Sequence, residues 1–390
     1  RTFPGSTYRG ADLNRRAVAT LGLPAGRATV RAVSSGTDDN PTPDGNPTPG
    51  YDQEAVNAWI SEHVEGLTPP FTWEQLEGGH SNLTYAITDT EGREAVIRRP
   101  PMGELLPKAH DMGREFKIIS GLGQTSVPVA KAYGYCEDPS ITGAHFYVMS
   151  KVPGRAMYSP EDVEEWLSLP AREQMGYSFM DTLAALHSVD PDEVGLGDLG
   201  RPDGYVARQL KTWYGSWTAS AEGAKYDDDR IHELHDMFQN NLPEQGPARV
   251  VHGDYGPHNC MVDQQGNITA ILDWEISTLG DSMADFAYAV NGWGDPEIEG
   301  DNGVSGSATT APGFLPRQVL VDRYAGVTGA DLSLLPYYRS FNYFKTACIL
   351  HGVYSRYLEG KKSTEGVDLP DLFERMQNAI GFAESTAAEL

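Results

Sequence analysis

His252-Gly-Asp254-Tyr-Gly-Pro-His258-Asn259, followed by Ile271-Leu-Asp273-Trp-Glu275, is the stretch from which the remainder of the chain can be read. Val250 and Val251 end an apolar strand, and a loop opens at His252. Residues 260–262 and 268–274 read as two short strands with the turn Asp263-Gln-Gln-Gly266-Asn267 between them, so a hairpin is expected to return Asp273 beside Asn259. A carboxylate, an amide and a second carboxylate then lie along a strand, a short loop and a hairpin. Phosphoryl transfer from ATP uses such a trio: one carboxylate takes the proton of the attacking hydroxyl, and two oxygen ligands hold Mg²⁺ on the phosphates. Taken singly, the residues have plainer readings. Asp and Asn in Gly-rich loops form turns, and His252, Asp254 and His258 include donors that zinc accepts. A Cys/His tetrad of zinc spacing is missing.

The five-residue step from Asp254 to Asn259 equals the step from Asp to Asn in the kinase pattern H-R-D-x-x-x-x-N, and Asp273 stands where the metal-binding Asp of D-F-G stands. Gly253 replaces the arginine of that pattern, and Trp274-Glu275 replaces Phe-Gly. With those departures the segment resembles the aminoglycoside and choline phosphotransferase family, through H-G-D-x-x-x-x-N and D-W-E.

Upstream, strand patterns at 71–76, 83–88 and 94–99, a helix over 109–121 and strands at 130–135 and 145–150 give the order β-β-β-α-β-β. That is the order of a kinase amino-terminal lobe. Gly78-Gly79-His80-Ser81-Asn82 lies between the first two strands, where glycines let backbone approach phosphates and Ser81 or Asn82 can donate to them. As a plain hairpin turn the same residues would be ordinary. Kinases carry a Lys on the third strand, in a pattern like V-A-I-K. Here Ala95-Val-Ile-Arg98 puts an arginine there, permanently charged and able to bind phosphate bidentately, while Arg99 should point to the opposite face. Glu115 falls where a helix-borne Glu would orient Arg98. Tyr147-Val148-Met149 alternates into the Pro153-Gly154 turn as a hinge would, with backbone groups at Val148 and Met149 available to adenine.

The resemblance covers about residues 51–360. It includes Leu-Ala-Ala-Leu-His187, Gly280-Asp281-Ser-Met-Ala-Asp285 and Phe344-Lys-Thr-Ala-Cys-Ile-Leu-His-Gly352. Within the family the chain looks most like phosphotransferase domains that stand alone in bacteria or are fused to acyl-CoA dehydrogenases. The resemblance implies Asp254 as base, Asn259 and Asp273 as Mg²⁺ ligands, His252 as a loop-fixing residue and Asp285 as the anchor of the loop. The resemblance implies a place for Glu275 either near the metal or acceptor or in structural support of the site. Ser282 replaces the usual proline of G-D-P, which mainly pre-sets φ at a helix start. For the acceptor site, Tyr343, Phe344, Lys345, His351 and Tyr354 are candidates, although at helical spacing such aromatics also form core. Lys345 would suit an anionic acceptor such as a hydroxy acid or acyl-CoA. Residues 301–310 are a substrate loop or a surface excursion.

Bulk properties agree. With 390 residues and 39% apolar content the chain can bury a large core, and a net charge of −25 opposes nucleic-acid binding. Cys136, Cys260 and Cys348 are few and far apart, which suggests a reducing compartment and a cytoplasmic protein, and no apolar run reaches membrane-span length. The first 33 residues hold six arginines and one acid, Asp12, the composition of a targeting leader or of an unstructured extension. Asn-Pro-Thr-Pro occurs at 40–43 and 46–49, as in a linker. The expected fold is α+β and bilobal, protein-kinase-like: a leader and linker over 1–50, a nucleotide-binding lobe over 51–150, and a mainly helical catalytic and substrate lobe over 151–390. The expected activity is ATP- and Mg-dependent transfer to a hydroxylated small molecule. The alternatives are an aminoglycoside-type kinase and a non-catalytic nucleotide-binding regulator.

Overall fold

A computed structural model of the chain describes residues 48–76, 82–102, 110–295, 307–364 and 366–390. They divide into two units. One holds 48–153 with Asp273–Glu275, and the other holds Gly154–Leu272 with Ile276–Leu390.

The smaller unit is built on a five-stranded antiparallel sheet in the order β1-β2-β3-β5-β4, comprising β1 (Thr72–Gln75), β2 (Leu83–Thr88), β3 (Glu94–Arg99), β4 (Ala132–Cys136) and β5 (Phe146–Ser150). Period-two alternation decides its two faces. Tyr85 and Ile87, Ala95 and Ile97, and Phe146 and Val148 point one way and close over Val56, Trp59 and Ile60 of the helix Gln53–His63. Asp52 starts that helix, accepting from the Glu54 and Ala55 N–H groups. Arg99 continues the same face, where its guanidinium donates to the Gly50 and Thr142 carbonyls and lies over the Tyr51 ring. Arg98 is carried on the other face, where the helix Met112–Leu122 packs on β4 and β5.

One expectation is corrected by the register. β5 lies between β3 and β4, with Val148 opposite Ile97 and Gly134, and Met149 opposite Val96 and Ala132. A strand paired on both sides spends its N–H and C=O groups in the ladder, so Val148 and Met149 have no backbone groups to offer adenine. Gly78, Gly79 and Ser81 lie outside the described residues; Asn82 is buried immediately before β2.

In the larger unit the helix Leu335–Leu358 is buried along most of its length, as an element apolar on all sides must be, and contacts the helices Tyr205–Ala224, Ser282–Asn291 and Leu369–Ala387. Met175, Phe179, Leu183 and Leu186 are buried on the helix Leu169–Ser188. Helices Pro160–Trp166, Asp229–Asn240 and Leu369–Ala387 were not foreseen from the sequence. Two short ribbons carry the loop of interest: β6 (Arg249–Val251) pairs with β9 (Thr278–Gly280), and β7 (Cys260–Val262) pairs with β8 (Ile268–Ile271). β8 ends at Ile271 rather than at 274. Leu272 still donates to the Asn259 carbonyl at 2.8 Å, but Asp273 adopts φ of 59°, in the left-handed region, and cannot continue the strand. In the hairpin turn Asp263 accepts from the Gln265 and Asn267 N–H groups. Among the described residues no helix is long and apolar enough to cross a membrane.

Phe146 is fully buried, with its ring edge-on to Trp59 at 4.9 Å. Phe146→Ala is expected to lower the smaller unit's unfolding free energy by about 3–5 kcal/mol. The exposed Glu91→Ala should stay within about 0.5 kcal/mol, both read from guanidinium chloride unfolding midpoints.

Candidate active site

A single buried carboxylate shapes the loop after β6. Asp285, on the helix Ser282–Asn291, accepts from the His252 N–H at 2.7 Å through one oxygen and from the Gly253 N–H at 2.8 Å through the other. His187 Nε2 adds a contact at 3.2 Å, and its Nδ1 is 2.7 Å from the Tyr324 hydroxyl. Burial pushes the Asp285 carboxyl upward, but the His187 hydrogen bond, with the charges and backbone donor beside it, outweighs that and holds it below the ordinary value. Asp281 starts the helix by accepting from Met283 N–H, and Tyr338 donates to its other oxygen. Gly253 has φ of 85°, and a Cβ there would lie 3.1 Å from Ile276 Cδ1. A side chain at that position in this loop would be strained and crowded, which accounts for glycine in H-G-D where the pattern H-R-D has arginine.

His252 is fully buried. Its Nε2 donates to the Leu272 carbonyl at 2.8 Å, and its Nδ1 accepts from the Asp254 N–H at 3.3 Å. Both ring nitrogens are thereby engaged, which removes the zinc reading of His252, Asp254 and His258. Asp254 is also buried. Its Oδ1 accepts from the Tyr288 hydroxyl, and its Oδ2 accepts from Asn259 Nδ2 at 3.1 Å, with His258 Nε2 at 3.4 Å. Asn259 Nδ2 donates to the Asp254 carbonyl as well, at 3.0 Å. With its nitrogen so placed, the Asn259 amide turns its oxygen away from Asp254 as a potential ligand. Burial and the Asp254 charge push the Tyr288 phenol well above its ordinary value, so it stays a donor.

Lys345 is buried in the same region. Its Nζ donates to the Gly253 carbonyl at 3.3 Å and lies 5.0 Å from the centre of the Tyr288 ring. Burial lowers its pKa, while the charges of Asp254 and Asp285 oppose that shift. The other candidates on this helix lie elsewhere. His351 is fully buried, stacked on Trp217 at 3.8 Å, with Nδ1 2.7 Å from the Ser220 hydroxyl and Nε2 on the Tyr226 carbonyl at 3.0 Å. Tyr343 is buried against Phe382, and Tyr354 lies against Phe373. At about 100° per residue, Tyr343 and His351 are turned roughly 200° and 240° from Lys345, so one pocket cannot take all three. His351 is a core residue, contrary to the sequence expectation.

In the smaller unit Arg98 stands opposite Tyr147 across β3 and β5. Arg98 Nε lies 3.4 Å from Glu115 Oε2, to which the Tyr147 hydroxyl donates at 2.9 Å. Arg98 Nη2 lies 3.6 Å from Asp273 Oδ1, and His110 Nδ1 lies 3.7 Å from Glu275 Oε1. Burial acts to lower the Arg98 pKa, but Glu115, Tyr147, Asp273 and Glu275 raise it above the ordinary value. Burial raises Glu115 despite Arg98. Three carboxylates thus act on one guanidinium, and among the described residues the buried oxygens Glu115 Oε1 and Asp273 Oδ1 have no hydrogen-bond donor. A buried carboxylate oxygen without a donor, as at Asp273, is the kind of hard ligand that magnesium takes, and the side-chain oxygen of an amide such as Asn259 is of the same type.

Asp285→Ala should cost on the order of 3–5 kcal/mol, because it strands buried donors at His252, Gly253 and His187. The folded-state pKa of Asp285 lies below its unfolded value of about 3.9. Its stabilising contribution is therefore complete above that value and is lost as pH falls through the folded one. The stability gap between wild type and Asp285→Asn is expected to narrow from pH 7 to pH 3 in chemical unfolding.

Comparison with known proteins agrees with this geometry. Residues 72–311 match the family described as phosphotransferase enzyme family. The chain is 32% identical over 359 residues to Probable acyl-CoA dehydrogenase IBR3 of Arabidopsis thaliana, covering 85% of this chain and 43% of that one. It is 34% identical over 328 residues to acyl-CoA dehydrogenase family member 11 of Gallus gallus, covering 81% and 41%. The chain thus spans about two-fifths of the length of these curated relatives. Among solved structures it is similar to a Ralstonia eutropha JMP134 protein assigned to the aminoglycoside phosphotransferases, with TM-score 0.73 and 30% identity over 87% of this chain and 99% of that one. By its family match and by these relatives, the chain belongs to the phosphotransferase enzyme family.

Proposed function

We propose that the chain is a small-molecule kinase that moves the γ-phosphate of ATP to an acceptor hydroxyl. The observation that carries this reading is the Asp254 carboxylate, buried and oriented by Tyr288 and Asn259 on a loop clamped by Asp285. In the proposed reaction Asp254 takes the proton of the acceptor hydroxyl as the new P–O bond forms and the bond to the ADP oxygen breaks. His252 ties the loop backbone to Leu272, and Asn259 and Asp273 are the proposed magnesium ligands. Bound magnesium would neutralise charge on the phosphates and hold them in line. Arg98, oriented by Glu115, is assigned to the nucleotide phosphates, with Gly78, Gly79, Ser81 and Asn82 as their backbone and side-chain cradle. Alignment and charge stabilisation would supply most of the acceleration.

For the acceptor we favour a hydroxy acid or hydroxyacyl thioester, with Glu275 near the metal or acceptor. The names of the curated relatives support an acyl thioester context, and most of their length lies outside the match. An aminoglycoside acceptor is the second reading, favoured by the assignment of the Ralstonia protein.

The test is Mg²⁺-ATP-dependent ADP release over hydroxyacyl thioesters, free hydroxy acids, sugars, choline and aminoglycosides. Turnover should be confined to one class and should fall by about 10²–10⁴-fold in Asp254→Asn with ATP binding retained. Near-normal turnover in that variant contradicts the assignment of the base. Arg98→Ala should weaken ATP binding measured by calorimetry, and unchanged affinity would remove Arg98 from the nucleotide site.

A further inference from the structure

Three successive residues of the loop are held from two helices of the larger unit. Asp285 takes the backbone N–H groups of His252 and Gly253. Three residues further along the same helix, and so on the same face, Tyr288 donates its hydroxyl to Asp254 Oδ1. From the helix Leu335–Leu358, Lys345 closes the set by donating to the Gly253 carbonyl and seating its ammonium against the Tyr288 ring. A carboxylate on a fixed backbone keeps one soft torsion, rotation about Cβ–Cγ, and this torsion decides which lone pair meets an acceptor. Asn259 and His258 both meet Oδ2, and the Tyr288 hydroxyl adds a donor on Oδ1; contacts on both oxygens together fix that rotation.

We propose that Tyr288 is a positioning residue for the Asp254 base, fixing the carboxylate plane through Oδ1 while Lys345 holds the tyrosine in place. The proposal rests on the phosphotransfer reading for its kinetic consequence, but its geometric content is independent of it. A carboxylate has about four lone-pair sites. Donors from Tyr288, Asn259 and His258 take up three of them, leaving one direction for an incoming hydroxyl. Lys345 over the ring face draws on the ring quadrupole and favours a more polarised O–H donor. Nothing in the kinase spacing pointed to position 288, because its partner lies 34 residues away in sequence.

Tyr288→Phe removes one oxygen and keeps the ring under Lys345. The expected result is a fall in kcat of roughly 10–100-fold, with KM for ATP and melting temperature near wild type. In a crystal structure of the variant the Asp254 carboxylate should be rotated about Cβ–Cγ relative to wild type. Combined with Asp254→Asn, Tyr288→Phe should lower kcat no further, since it acts through that carboxylate. An unrotated Asp254 with wild-type kcat overturns the proposal. So does a lowered melting temperature with losses that add in the double variant, which is the signature of a purely structural tyrosine. Should the wild type phosphorylate no acceptor, the functional reading falls, and the orientation of Asp254 in the two crystal structures alone decides the role of Tyr288.

Discussion

The capture of two adjacent backbone N–H groups by the Asp285 carboxylate is the contact on which the candidate site depends. A strand that ends in a loop leaves donors unpaired, and buried donors without acceptors cost about 1–3 kcal/mol each. Asp285 resolves both at once, and does so as an anion because His187 offsets its burial. The bond pair sets the orientation of the peptides at His252 and Gly253. That orientation requires the left-handed φ at Gly253, and Asp254 follows in a buried position between Tyr288 and Asn259. Each later feature of the loop inherits its geometry from that anchor.

The smaller unit presents a different balance. There the positive charge comes from an arginine, whose planar fork reaches Glu115 and Asp273 from two of its nitrogens. A lysine in its place would offer a compact point charge and bind one of them at a time. Glu115 is fixed from a second side by Tyr147, so the arginine is oriented by a partner that is itself oriented. Among the described residues, Glu115, Asp273 and Glu275 all act on the one guanidinium of Arg98, and His110 lies beside Glu275.

Much of this was legible in the sequence because the deciding patterns are local. β2 and β3 begin and end where alternation placed them, and Arg98 and Arg99 diverge as a two-residue period demands. The Asp254–Asn259 step folds as a 3₁₀ turn, Pro257–Asn259, that brings the amide onto the carboxylate. What stayed hidden depends on contacts distant in sequence or on local backbone conformation. β9, only three residues long, is defined by its partner β6 rather than by its own pattern. β8 stops early because Asp273 turns into the left-handed region, which no hydrophobic pattern records. Val148 and Met149 carry hinge-like side-chain alternation, yet the order of strands in the sheet decides what their backbone groups are free to do. His351 and Lys345 share a helix and a polar character, and only the packing of Trp217 against one and of Tyr288 against the other separates core from site. The helix Leu369–Ala387 becomes evident once its buried face is seen against Leu335–Leu358.

In the proposed reaction Asp254 serves transfer to an acceptor hydroxyl rather than to water. The most direct measurement is ³¹P NMR of a reaction containing the protein, Mg²⁺-ATP and a hydroxyacyl thioester. The expected result is a phosphomonoester resonance that grows in step with ADP and splits by coupling to the proton on the acceptor carbon. ADP accompanied only by inorganic phosphate, across that acceptor and the other classes of hydroxyl compound, would contradict it.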